Sequence, residues 1–235
     1  MDIKTYKSTL GKYLSWPTEL FLKENVQILK DEGLEKFYNK ANFYLPPHSI
    51  GELTNFFYKN GMNPLLEMKA IPAHFCGDDY SRYMDPIIIP SNIEEISENA
   101  FKKSWWESIA IPGSVKKLCL GAFRDSYTEN VILNEGLREV GNACFRYSSL
   151  LKINIPNSVE TLGFGCFSDS ELIQAKIGAN VTSLKEAQFA GCWHLREVEF
   201  NNTIDRLKEI LDDSCFDSCS DLKEIKCVDG VYKLK

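Results

Sequence analysis

Six phenylalanines recur along this chain at nearly constant intervals. Phe101, Phe123, Phe145, Phe167 and Phe189 follow one another every 22 residues, and Phe216 comes 27 residues later. A fixed period of about 20–29 residues is the mark of a solenoid. In a solenoid each period forms one coil that cannot bury its apolar side alone, so coils stack and share one core. Few other folds accommodate such spacing.

The register holds well beyond phenylalanine. A first strand position carries Ile87, Ile109, Val131, Ile153, Ala175 and Val198, and a third carries Ile89, Ile111, Leu133, Ile155, Ile177 and Phe200. Next come Pro90, Pro112, Asn134, Pro156, Gly178 and Asn201, residue types that end strands and favour turns. Two more apolar columns follow: Ile93, Val115, Leu137, Val159, Val181 and Ile204, then Ile96, Leu118, Val140, Leu162, Leu184 and Leu207. Stacking these coils predicts a parallel sheet with strands about 4.7–4.9 Å apart. It also predicts a phenylalanine ladder near the lower end of the ~4.5–7 Å range of ring contacts.

Small residues flank the ring on both sides. The preceding column is Ala100, Ala122, Cys144, Cys166, Gln188 and Cys215; the third residue after the ring is Ser104, Ser126, Ser148, Ser170, Cys192 or Cys219. Close approach of adjacent coils demands small side chains there. Five of the eight cysteines fall in these columns and are expected as buried thiols. The segment "DDSCFDSC" (212–219) is thereby explained without a zinc site.

The segments "IPGSVKKLCLGAF", "IPNSVETLGFGCF", "FAGCWHLREVEF" and "FDSCSDLKEIKC" resemble the BspA-like leucine-rich repeat family, over roughly residues 70–235. The resemblance implies an α+β chain: a leucine-rich-repeat-like parallel β solenoid of about six 22–23-residue coils, with a small helical N-terminal domain or cap. It also implies binding to another protein. Leu150 or Leu151, and Leu172, approximate the leucine column in the shorter coils, and Trp106 is expected to fill that slot in its own. The sixth coil is longer, and "NNTIDRLKEILDDS" predicts a short helical bulge. "IPAHFCG" (71–77) is an incomplete coil anchored by Phe75.

Residues 1–69 follow a different period. "SWPTELFLKENVQILKDEG" places Leu20, Phe21, Val26, Ile28 and Leu29 at helical spacing, with Gly33 as a stop. Ser49 and Glu52 have capping-box spacing ahead of Gly61, and Asn63 with Pro64 opens another helical turn. These residues either seal the apolar end of the solenoid or bind a partner themselves. Together with "NGMNPLLEMKAIPAHF" and the coils, they resemble small repeat proteins encoded by bacteriophages. That resemblance implies an infected bacterial cytoplasm, and a binder that modulates or inhibits a host protein such as a defence component.

Composition narrows the partners. The net charge of −6 disfavours a nucleic-acid binder, which needs a clustered basic surface, and a membrane-surface helix. No apolar run approaches the ~18 residues of a membrane span. The first residues, "MDIKTYKSTLGKYLSW", have no signal-peptide core, so a cytoplasmic protein is expected. That argues against the cell-surface adhesin reading. His48, His74 and His194 form no zinc-binding motif. His194 lies two residues from Cys192, but that thiol sits in a structural column and is expected to be buried and inert. No metal, cofactor or catalytic group is expected. The alternative is a hydrolase or metal site in the N-terminal domain or the Cys/Asp-rich last coil.

The surface is more informative. Residues between the two inward strand positions point outward: Ile88, Ala110, Ile132, Asn154, Lys176 and Glu199, with Ser108, Asn130, Lys152 and Gln174 preceding the strands. The first three are apolar. Trp105, Tyr127 and Trp193 occupy matching places near the coil corner. Exposed apolar residues with aromatic neighbours mark interaction sites. Ile88, Ala110, Ile132, Trp105, Tyr127, Lys176 and Trp193 are therefore the candidate partner-binding residues. For Ile88, Ala110 and Ile132, cover by the N-terminal domain is the other reading.

Overall fold

Each 22-residue period becomes one turn of a coil with a short strand on two of its sides. The computed structural model describes residue 65 and residues 69–76, 87–184 and 186–234; the helical readings within residues 1–64 lie outside them. One side of the coil builds a narrow sheet of two-residue strands: β1 (Ala70–Ile71), β2 (Glu95–Ile96), β4 (Lys117–Leu118), β6 (Glu139–Val140) and β8 (Thr161–Leu162). The other builds a wide sheet: β3 (Ser108–Ile111), β5 (Asn130–Leu133), β7 (Lys152–Asn154), β9 (Gln174–Ile177), β10 (Glu197–Phe200), β11 (Glu224–Cys227) and β12 (Gly230–Lys233). Pairing from coil to coil is parallel, in the expected register: Ile109 lies beside Val131, Ile153 beside Ala175, Val198 beside Ile225.

Between the sheets runs the ring ladder. Phe101, Phe123, Phe145, Phe167 and Phe189 are fully buried. Centroids stand 5.0 Å apart for Phe123–Phe145, 5.2 Å for Phe145–Phe167, 5.1 Å for Phe167–Phe189 and 5.3 Å for Phe189–Phe216, all stacked. Ring spacing thus follows the strand spacing. The first rungs turn: Phe101 meets Phe123 at 55° and Phe75 at 86°. Trp106, buried in the leucine slot, meets Phe101 in a T-shaped contact with centroids 5.1 Å apart. Leu150 takes the slot in its coil and Leu151 faces outward.

The corner that holds each ring has a conformation that the sequence conceals. Two residues before the ring, Asn99, Gly121, Ala143, Gly165 and Ala187 all have positive φ; two residues after it, so do Lys103, Asp125, Tyr147, Asp169, Gly191 and Ser218. In the coils from Asn99 to Asp169 these positions, and the phenylalanine between them, send their N–H groups to the next coil. Ala143 donates to the Phe164 carbonyl at 2.9 Å, Phe145 to Cys166 at 2.6 Å and Tyr147 to Ser168 at 3.2 Å. Alternating left- and right-handed backbone aims every second donor along the stacking axis. A buried backbone donor left without an acceptor costs about 1–3 kcal/mol, which offsets the about 1–2 kcal/mol of a left-handed non-glycine residue.

Three differences from the sequence-based expectation stand out. The superhelix makes about five complete turns rather than six, because Ile87–Ile89, though alternating buried and exposed, form no strand. In the last coil α1 (Ile204–Ile210) supplies the expected helical bulge, and it shifts the register. Leu207 packs inward from the helix, and Leu211, not Leu207, pairs with Leu184. The column thereby steps by 27, the same interval as Phe189 to Phe216. Finally, β12 runs antiparallel to β11 and closes the wide sheet. The turn between them is Val228-Asp229, and Gly230, with a φ of 150°, opens β12. Asp229 also accepts the Ile204 N–H at 2.9 Å, tying the hairpin to the start of α1.

Candidate interaction surface

The outward residues of the wide sheet form one row across the coils. Ala110 lies beside Ile132, Asn154 beside Lys176, and Lys176 beside Glu199, which neighbours Lys226. The row changes character along its length. Ile88 is 77% exposed and Ile132 55%, with Ala110 exposed between them. Beyond Asn154 the row is charged and internally paired: Lys176 Nζ meets Glu199 Oε2 at 2.7 Å, and Gln174 Nε2 donates to Glu197 at 3.0 Å.

At the corner leading into β3 and β5, Trp105 stacks on Tyr127 at 4.9 Å and 22°. Both rings are exposed. The structure therefore brings five of the seven candidates to one end of the solenoid: Ile88, Ala110, Ile132, Trp105 and Tyr127. Lys176 stands two coils further on, engaged with Glu199. Trp193 is 59% exposed in the same corner column as Tyr127, but Ser149 and Glu171 intervene, so it stands apart from that stack.

Sequence reasoning missed a polar cleft of about 570 Å³ beside the charged half of the row, lined by Asn134, Asn154, Asn157, Lys176, Glu199, Asn201 and Lys226. The turn column forms its wall. The Asn157 side-chain oxygen accepts from Ala179 N at 2.9 Å and from Asn201 Nδ2 at 3.0 Å. In the sequence Asn134 and Asn201 read only as turn formers, yet both amides also donate between coils, to Ile111 O at 2.9 Å and to Asn157 at 3.0 Å.

Chemical groups are dispersed. His194 faces Glu171 at 3.6 Å on the surface, while Cys192 points into the core. Burial pushes the thiols of Cys144, Cys166 and Cys215 well up. Partial burial and the neighbouring Glu95 push Cys119 up to about 11. Among the described residues no group of three or more His, Cys, Asp or Glu is placed to hold a metal ion. No helix among them is long and apolar enough to cross a membrane.

A repeat-family model agrees with this architecture. The model of the BspA type leucine rich repeat region matches in six copies, over residues 79–196 and 139–235. No curated protein matches the chain. Among solved structures, the pneumococcal vaccine antigen PcpA is 21% identical at a TM-score of 0.43, covering 60% of this chain and 40% of its own. The T. pallidum leucine-rich repeat protein is 19% identical at 0.33, covering 51% and 72%. A leucine-rich cell surface protein from Faecalibacterium prausnitzii is 17% identical at 0.35, covering 69% and 58%. The chain thus spans less than half the length of the first of these.

Proposed function

The chain belongs to the BspA-type leucine-rich repeat family, and from that premise we propose that it is a non-catalytic protein-binding module. Repeat proteins of this type mediate protein–protein interaction or surface binding. The contact surface is the apolar end of the outward row: Ile88, Ala110 and Ile132, bordered by the Trp105–Tyr127 stack. The observation that carries this reading is the gradient itself. A row that pairs its own charges at one end, through Lys176 and Glu199, carries solvent-exposed aliphatic side chains at the other. Burying such a patch releases about 25 cal/mol per Å² of apolar area, and aromatic residues are enriched in the cores of interfaces. The polar cleft near Lys176 and Lys226 supplies hydrogen bonds to a partner lying along the sheet.

Affinity capture from bacterial lysate with the full-length chain tests the face. Wild type is compared with an Ile88→Asp/Ile132→Asp variant of unchanged circular dichroism. The expected result is a protein recovered by wild type and lost with the variant; equal recovery removes this face from the reading. The finer reading is a phage-encoded binder that modulates or inhibits a host protein in the cytoplasm. It rests on the resemblance of the N-terminal segment and coils to phage repeat proteins. Identifying the captured protein tests it: a component that restricts phage growth is expected, and a protein without that role contradicts it.

A further inference from the structure

Two thiols in successive coils occupy the same column near the C-terminal end. Cys192 and Cys219 each stand three residues after a ladder phenylalanine, and those rings, Phe189 and Phe216, are 5.3 Å apart. Gly191, next to Cys192, donates its N–H to the Asp217 carbonyl at 2.8 Å, so the backbones are in register here despite the helical insertion. One carbonyl links the pair. Phe189 O accepts the Cys192 N–H at 3.2 Å and the Cys219 thiol at 3.0 Å. Backbones at coil spacing fall within the ~4.4–6.8 Å Cα separation that a disulfide spans.

Within the pair Cys192 is completely buried and Cys219 is 7% exposed. Cys144 and Cys166 are also in adjacent coils of one column, but both are completely buried, and burial drives their thiols up. Cys219 instead lines an open cleft of about 620 Å³ at the end of the solenoid, beside Phe216, Leu222, Tyr232 and Leu234. Reagents the size of peroxide have a route to it. Cys192 lies behind it, donating to Phe167 O at 3.1 Å, with Ser170 Oγ at 3.3 Å. Contact between the two thiols, with Ser170 beside them, lowers the Cys192 pKa against the opposing effect of burial and pushes Cys219 up. Thiolate character is what makes a cysteine reactive toward oxidants.

We propose that Cys192 and Cys219 are a redox modification site, forming a reversible disulfide between the last two coils on exposure to a peroxide. Two S–H bonds and the peroxide O–O bond break, and one S–S bond forms. The two electrons leaving the sulfurs reduce the peroxide, and with the two thiol protons its oxygens depart as two waters. The bond covalently joins coils that are otherwise held by stacking and backbone hydrogen bonds.

The test treats the reduced full-length chain with hydrogen peroxide, alkylates it under denaturing conditions and maps tryptic peptides by mass spectrometry. The expected product joins peptides 186–196 and 209–223, with fragmentation assigning the link to Cys219 rather than Cys215. It disappears on reduction with dithiothreitol, and Cys144 and Cys166 are recovered as alkylated thiols. Cys192→Ser and Cys219→Ser each abolish the link. Both variants keep the fold, because serine occupies this column at Ser104, Ser126, Ser148 and Ser170; Cys215→Ser leaves the link intact. Absence of the link, a link through Cys144, Cys166 or Cys215, or irreversible oxidation of Cys219 with Cys192 unmodified overturns the proposal.

Discussion

Phe145 lies on Phe167 at a centroid distance of 5.2 Å and an interplanar angle of 4°, almost parallel and fully shielded from water. The two residues are 22 apart in sequence, and the contact exists because the coils carrying them are in register. Each ring is sandwiched by its neighbours, so removing one leaves a gap between two coils that cannot close without breaking backbone bonds. Phe145→Ala should destabilise the chain by about 3–5 kcal/mol, read as a lower urea midpoint. Phe145→Leu should cost clearly less, because it refills much of the volume.

Close approach of the coils also excludes side chains elsewhere. A Cβ at Gly141 would sit 2.7 Å from Leu118 O and 2.8 Å from Cys119 C, both backbone atoms. Gly141→Ala should therefore cost about 1–3 kcal/mol, as overpacking does, by prising two coils apart. A melting temperature equal to that of wild type would contradict the close stacking.

The reverse substitution should help at Ala143. Its φ of 48° is left-handed, which costs an L-residue about 1–2 kcal/mol. Glycine removes that strain and loses about 0.5–1 kcal/mol in unfolded-state freedom. Ala143→Gly should come out more stable by roughly 0.5–1 kcal/mol in urea denaturation.

Columns of apolar residues survive translation from sequence to structure because burial selects for them, so the ladder, the inward strand positions and the outward row from Ile88 to Glu199 were all legible. Backbone handedness is not selected in the same way. Asn99, Ala143, Lys103 and Tyr147 share a conformation with Gly121 and Gly191, and of those four side chains only that of Asn99 favours it. The position of the helical insertion was legible, but its register was not: Leu207 and Leu211 are both plausible apolar choices, and only the pairing with Leu184 decides. The Asn157–Asn201 contact was hidden because amides at turns have a local explanation that conceals a second role.

Helix α1 depends on two acceptors. Thr203 Oγ1 takes the Arg206 N–H at 3.2 Å, and Asp229 takes that of Ile204 at 2.9 Å. Thr203→Ala should cost about 1 kcal/mol. Faster amide exchange should be confined to the last coil, with the ladder from Phe101 to Phe167 unaffected.

Glu135 provides a pH-dependent link between coils. Its carboxylate accepts Asn157 N at 3.0 Å and Ser158 N at 2.9 Å. Partial desolvation acts to raise its pKa, but these bonds outweigh it and hold the group below the usual carboxylate value of 4.5. A lowered pKa contributes stability above the unfolded-state value, and that contribution is lost as pH falls through the folded-state value. Wild type should therefore exceed Glu135→Gln in stability at neutral pH, and the difference should vanish at pH well below 4.5. A difference that persists unchanged into acid would contradict the carboxylate's role.

The stacking of coils is tested most directly by nuclear Overhauser contacts among ring-labelled phenylalanines in the intact chain. The expected pattern is one unbranched series, Phe101 to Phe123 to Phe145 to Phe167 to Phe189 to Phe216, each ring touching only the ladder rings before and after it. Contacts that skip a ladder position, or rings in the series with no such neighbour, would contradict the solenoid and with it the surface built on its face.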